Sequence, residues 1–297
     1  RNGQLGSGSD VIMPLLSSST TSMEYRGRER PAPVAGLRGV VGITAAGLTA
    51  LALLEDGTVR AWGPRASGVI GDGTVPQTYG DRAPDALAPV QVPHVANIVS
   101  VSASHAHVLA LTREGRVLAW GSNFYGELGR APRQELPLDT AVEVAGLADV
   151  VAVAAGNGVS TVLKKDGTVW VWGSNKNNQF GFGVRTSEPG PNRGYDLVPQ
   201  MVPGVTNVTS IAVGLTGRHT LALLKDGTIR AWGNTDMGQA GSGAGPGFHE
   251  RPIAPKISGV KVIFAAGNNS FALRADGALW AWGVGGPRDW PLPSNVR

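Results

Sequence analysis

A chain of 297 residues with 42% hydrophobic and 16% charged residues can bury a core and is too apolar for a disordered tail. Its formal charge of +4 includes no concentrated cationic run, since Arg26, Arg28 and Arg30 stand beside Glu24 and Glu29, which argues against a nucleic-acid-binding stripe. Cysteine is absent, which excludes disulfides, thiolate catalysis and cysteine-ligated metal, and fits a bacterial exported protein.

No apolar run approaches the length of a membrane-spanning helix. The first residue is Arg1, which leaves room for an upstream signal peptide. The expected location is extracellular or periplasmic, with the cytoplasm as the alternative. The 43 glycines and 20 prolines predict many turns and hence many short strands.

In chain order, residues 1–37 read as the tail of a repeat. Asn2-Gly3-Gln4-Leu5-Gly6 parallels Asn123-Phe124-Tyr125-Gly126-Glu127-Leu128-Gly129, and Val34-Ala35-Gly36-Leu37 parallels Val144-Ala145-Gly146-Leu147. A cassette then recurs five times: an acidic residue, Gly, four residues, and Trp-Gly. It begins at Asp56, Glu114, Asp166, Asp226 and Asp276 and ends at Trp62, Trp120, Trp172, Trp232 and Trp282. The cassettes start 58, 52, 60 and 50 residues apart, so the variable length lies outside them. A rigid unit repeated at this period marks a solenoid, propeller or array.

Each repeat reads as four strands. A small apolar first strand, such as Val150-Val151-Ala152-Val153, suits a crowded inner position. A second strand such as Leu109-Ala110-Leu111 follows, the acidic-Gly pair makes a hairpin, and a third, alternating strand ends at Trp-Gly. A long loop then leads to an outer strand around a Pro-Val segment. The repeats run over about 40–96, 97–148, 149–206, 207–259 and 260–297, within a single domain spanning 1–297.

These residues, Val-Val-x-Val-Ala-Ala-Gly followed by Leu-Ala-Leu, Asp-Gly and Trp-Gly-x-Asn, resemble the regulator-of-chromosome-condensation repeat family over nearly the whole chain. The resemblance implies an all-β fold, a β-propeller of four-stranded blades. Five complete repeats plus the partial N-terminal one imply six or seven blades in the intact protein. A five-blade ring closed by residues 1–37 is the alternative, but Trp290 to Arg297 already offers the last repeat a fourth strand. The family includes nucleotide-exchange factors, photoreceptors, ubiquitin-ligase modules and bacterial enzyme inhibitors, so the resemblance specifies scaffold more than function.

The repeated Trp residues read as wedges between blades. His105 and His107 would share one face of a strand, a spacing that metals use, but no third ligand accompanies them. A structural hydrogen-bonding role for His107 and His219 is the stronger reading. No nucleophile elbow, P-loop or zinc-protease motif occurs, and no catalytic residue, cofactor or metal is assigned.

Up-and-down strands put the first-strand turns and the long loops on one face and the acidic-Gly hairpins on the other. The long-loop face carries Tyr79, Arg82, Asn123, Phe124, Tyr125, Glu127, Asn175, Lys176, Asn178, Asp236, Met237, Arg288 and Trp290 as candidate partner-binding residues. The expected function is a non-catalytic protein-binding module, as inhibitor, adhesin or assembly component. The alternatives are a structural subunit in a multi-chain assembly, its first blade completed by another chain, and an enzyme with a site at the channel mouth. The partner is expected to be a protein rather than nucleic acid.

Overall fold

The computed structural model describes residues 31–65, 67–74, 84–131, 138–176, 178–182, 195–214, 219–243 and 248–284. Within them the chain is all β. The first sheet comprises β1 (Val40–Ala46), β2 (Thr49–Leu54), β3 (Val59–Gly63) and β4 (Ala86–Gln91). The second comprises β5 (Ile98–Ala103), β6 (His107–Thr112), β7 (Val117–Gly121) and β8 (Leu138–Glu143). The third runs through β9 (Val150–Ala155), β10 (Val159–Lys164), β11 (Val169–Ser174) and β12 (Tyr195–Met201). The fourth has β13 (Val208–Val213), β14 (His219–Leu224), β15 (Ile229–Asn234) and β16 (Phe248–Ile253).

The last sheet has three strands among the described residues, β17 (Val260–Ala266), β18 (Asn269–Arg274) and β19 (Leu279–Gly283). The segment expected to add a fourth, Trp290 to Arg297, lies outside the described residues, as do residues 1–30. All neighbouring strands are antiparallel and consecutive, the pattern of a propeller blade.

The core lies between sheets. One buried cluster joins Leu51, Val59 and Val92 of the first sheet to Ile98, Val108 and Trp120 of the second, and three further clusters link the successive pairs. Strand β6 is buried at all six positions because it is covered on both faces. At the two ends of the series apolar side chains remain uncovered, with Ile43 83% exposed on β1 and Phe264 60% exposed on β17.

The acidic-Gly cassette has a second task that its turn chemistry did not reveal. Asp56 does not adopt the left-handed conformation; Gly57 alone does, at φ +76°. The carboxylate instead accepts hydrogen bonds from Thr58 N (2.9 Å) and Thr58 Oγ1 (2.7 Å). The same two bonds recur at Asp166 with Thr168 and at Asp226 with Thr228. The Thr58 bonds hold the Asp56 carboxyl below its ordinary range.

The Gly57 carbonyl accepts Ile98 N–H of the following sheet at 3.1 Å, and a Cβ on Gly57 would lie 3.1 Å from the Asn97 backbone. Gly115, Gly167 and Gly227 accept Val150, Val208 and Val260 in the same way. The hairpin is therefore also the hinge pin that fixes one blade to the next, and glycine is required there for both conformation and space.

Candidate functional site

At the opposite end of the strands, the repeated Trp residues fix the long loops. Trp120 Nε1–H donates to Val69 O (2.8 Å), Trp172 to Glu127 O (2.7 Å), Trp232 to Gln179 O (2.8 Å) and Trp282 to Gln239 O (2.7 Å). In each case the acceptor is in the long loop of the preceding blade. The wedge expected from sequence thus carries a directional bond as well as apolar bulk.

Two interfaces add a buried imidazole. His107 Nε2 lies 3.0 Å from Ser160 Oγ, which donates to Glu127 O at 2.7 Å, so Nε2 must carry the proton toward the serine oxygen. Ser104 Oγ is 2.8 Å from Nδ1 and completes the neutral tautomer. Burial pushes His107 down to about 3. His219 Nε2 makes the same bond to Ser270 Oγ at 2.8 Å, and Ser270 donates to Gln239 O at 2.8 Å. His105 does not share a strand face with His107: it sits exposed in the preceding turn while His107 begins β6 fully buried. The pair is therefore not a two-histidine metal clasp.

The candidate residues on the long loops divide into two groups. Asn123, Glu127 and Asn175 are buried and shape the loops. Asn123 Oδ1 accepts Leu128 N–H (3.0 Å), Asn175 Oδ1 accepts Phe180 N–H (3.0 Å), and Glu127 Oε2 accepts Tyr125 N–H (2.7 Å). Gln239 does for Met237 N–H what Glu127 does for Tyr125, at 2.9 Å. Polar loop residues beside Trp-Gly satisfy the turn's own amides, so Asn123, Glu127 and Asn175 serve the loops' shape and leave little surface for a partner. Burial raises the Glu127 carboxyl to about 7.

Phe124, Lys176, Asp236 and Met237 point outward, with Tyr125 and Asn178 half-buried. Phe124 is 73% exposed and Met237 53%. Phe124 meets Tyr125 edge to face with centroids 4.9 Å apart, and Lys176 Nζ of the next blade lies 4.8 Å over the Tyr125 ring. Tyr125 is held from below, since a Cβ at Gly158 would be 3.0 Å from its ring. Tyr79, Arg82, Arg288 and Trp290 lie outside the described residues.

Leu48, exposed in the β1–β2 turn, belongs to the same face and was missed, because a single apolar residue in a turn gives no periodic signal. Asp72, one of the scattered carboxylates that could in principle make an acid/base pair, instead forms an ion pair with Arg65, Nη2 lying 2.5 Å from Oδ2. Burial works against the Asp72 carboxylate, but the Arg65 bonds outweigh it and Asp72 titrates low. Asp139 lies near enough to Asp72 to feel its charge, while burial is the main cause that raises its own carboxyl. Among the described residues no three His, Asp or Glu side chains gather as a metal site.

Serial four-stranded sheets joined through buried Trp wedges define a β-propeller whose loops decorate one end. The model of one family, the RCC1-like domain, matches residues 1–289, and the chain belongs to that family. Among curated proteins it is 28% identical to the human E3 ubiquitin-protein ligase HERC2 over 254 residues, 83% of this chain and 5% of that protein. It is also 28% identical to the mitochondrial RCC1 domain-containing protein RUG3 of Arabidopsis thaliana, covering 81% of this chain and 53% of that protein.

Among solved structures, Prp20p of Saccharomyces cerevisiae, described with its binding to Gsp1p and histones, superposes with a TM-score of 0.67 at 26% identity, covering 82% of this chain and 58% of that one. Yeast RCC1 bound to Kap60 superposes at 0.66, with 27% identity and coverage of 82% and 56%. The chain thus spans little more than half the length of these relatives, and far less of HERC2.

Proposed function

We propose that this chain is a non-catalytic protein-binding module that captures its partner on the long-loop face. The observation that carries the reading is the Phe124–Tyr125–Lys176 cluster. Exposed Phe124 rests on half-buried Tyr125, which is fixed at the junction of two blades by a cation of the neighbouring loop and by a close-packed glycine below. Interface anchors are typically aromatic side chains whose entropy is already lost before binding. Met237, exposed on a loop of the same face, adds an adaptable apolar contact. The structural relatives that bind Gsp1p, histones and Kap60 support a role in protein capture without naming the partner here.

The test is alanine substitution of Phe124 and of Met237 in the full chain. Each variant is expected to lose roughly tenfold or more in affinity for the native partner, as truncated anchors do, with an unchanged melting temperature. Undiminished affinity in both variants would remove the long-loop face as the binding surface.

A further inference from the structure

The outer part of each blade interface is shaped by one position on the third strand of the following blade. In β7 this residue is Leu118, paired with Ala110, and in β11 it is Trp170, paired with Val162. Both pack against the interface core and fill the wedge. The equivalent residue of β15, paired with Ala222, is Arg230.

A second departure lies beside it on the outer strand. Two residues before Val90, Val142 and Gln200, which pair with the third strand, stand Ala88, Thr140 and Val198; two residues before Ile253 stands Arg251. Between the third and fourth sheets the wedge is consequently open. It forms a cleft of about 640 Å³, with Phe182, Pro203 and Gly204 on one wall and Arg230, Arg251 and Pro252 on the other.

The two guanidinium groups are uncommitted to carboxylates within ion-pair distance among the described residues. Arg230 donates to the Ile229 carbonyl at 3.2 Å and sits near enough to Asp226 to help lower its carboxyl, behind the stronger Thr228 bonds. Arg251 is exposed. A volume in this range suits a few side chains rather than a folded domain. Two planar forks above an aromatic and proline wall match a carboxylate beside an apolar side chain. A nucleic-acid backbone would call for a row of cations, and the wall opposite would meet its sugars with Phe182.

We propose that the outer cleft between the third and fourth blades binds an acidic linear segment of a partner protein, with a carboxylate held by Arg230 and Arg251 and a neighbouring apolar side chain laid on Phe182 and Pro203. Phe182 is supplied by the β11–β12 loop, but none of Phe124, Tyr125, Lys176 and Met237 lines the cleft, so its failure and that of the long-loop reading are distinguishable.

The probe is a displayed library of random linear peptides selected on the full chain, with the enriched peptides measured by fluorescence anisotropy. Enriched sequences are expected to place Asp or Glu beside Phe, Leu or another apolar residue. Their affinity should fall about tenfold or more in Arg251→Ala and in Arg230→Leu, the scale of a lost charge-assisted bond, weaken with added salt, and stay unchanged in Phe124→Ala.

Arg230→Leu restores the plug that Leu118 provides between the first and second sheets and should fold with an undiminished melting temperature. If it does not fold, the exposed Arg251→Ala decides. Failure to enrich peptides, enrichment of peptides lacking carboxylates, affinity indifferent to Arg251→Ala, or stronger competition from a single-stranded oligonucleotide than from the peptide would each overturn the proposal.

Discussion

Replacing Glu127 by Gln should stabilise the fold at neutral and alkaline pH and leave it nearly unchanged in acid. Glu127 is 2% exposed, and its carboxyl is raised from 4.5 to about 7 by burial, against the opposing bond from Tyr125 N–H. Because the folded state holds the proton more tightly than the unfolded chain, stability is fully present below pH 4.5 and is lost as pH rises through 7. A shift of this size corresponds to about 3 kcal/mol between the two limits. At roughly 2–4 °C per kcal/mol for a domain somewhat smaller than this one, the difference in melting temperature is readily measured.

Glutamine keeps the acceptor for Tyr125 N–H, as Gln239 does for Met237, and carries no charge to desolvate. His107 acts in the opposite sense. Its pKa is lowered by burial from 6.5 to about 3, so its contribution is complete above 6.5 and is lost as pH falls toward 3. The two slopes oppose each other between pH 4.5 and 6.5 in the native protein. The informative quantity is therefore the stability of Glu127→Gln minus that of the native chain, from urea titrations at pH 4 to 8. That difference should grow by about 3 kcal/mol over the range, and a difference independent of pH would refute the reasoning.

Ser160→Ala strips the acceptor from His107 Nε2–H and one donor from Glu127 O, and should cost about 1–3 kcal/mol in chemical denaturation, the scale of an orphaned buried group. Thr220→Val is the contrast, because Thr220 occupies the place of Ser160 opposite Val159 rather than a histidine, and its buried hydroxyl has no hydrogen-bond partner. It should be neutral or stabilising by up to about 1 kcal/mol. Gly57→Ala forces a positive φ on alanine and a 3.1 Å contact with the Asn97 backbone. It should destabilise by more than about 1 kcal/mol and lower the unfolding midpoint without changing circular-dichroism band positions.

The scaffold was legible because its determinants repeat. Trp-Gly at a fixed distance from an acidic-Gly turn gave the second and third strands, the hairpin and the wedge. What the repeat could not show was direction. Glu127 and Phe124 lie three residues apart in one loop and looked equivalent, yet one turns inward to bond Tyr125 N–H and the other is largely exposed. Only the closed turn decides which polar side chain satisfies its amides. The second role of Gly57, accepting a bond from the next blade, is likewise a contact between residues 41 positions apart that no local pattern encodes. Arg230 stands where β7 and β11 carry Leu118 and Trp170, and Arg251 where the other outer strands carry Ala88, Thr140 and Val198, a difference that becomes readable once the strands are in register.

The central claim is that the partner sits on the long-loop face. Photocrosslinking from a benzophenone amino acid placed at Phe124, at Met237 and at Asp166 tests it directly, since Asp166 lies exposed on the hairpin face. Positions 124 and 237 are predicted to crosslink the same protein, with position 166 silent. Crosslinks confined to position 166 would contradict the account.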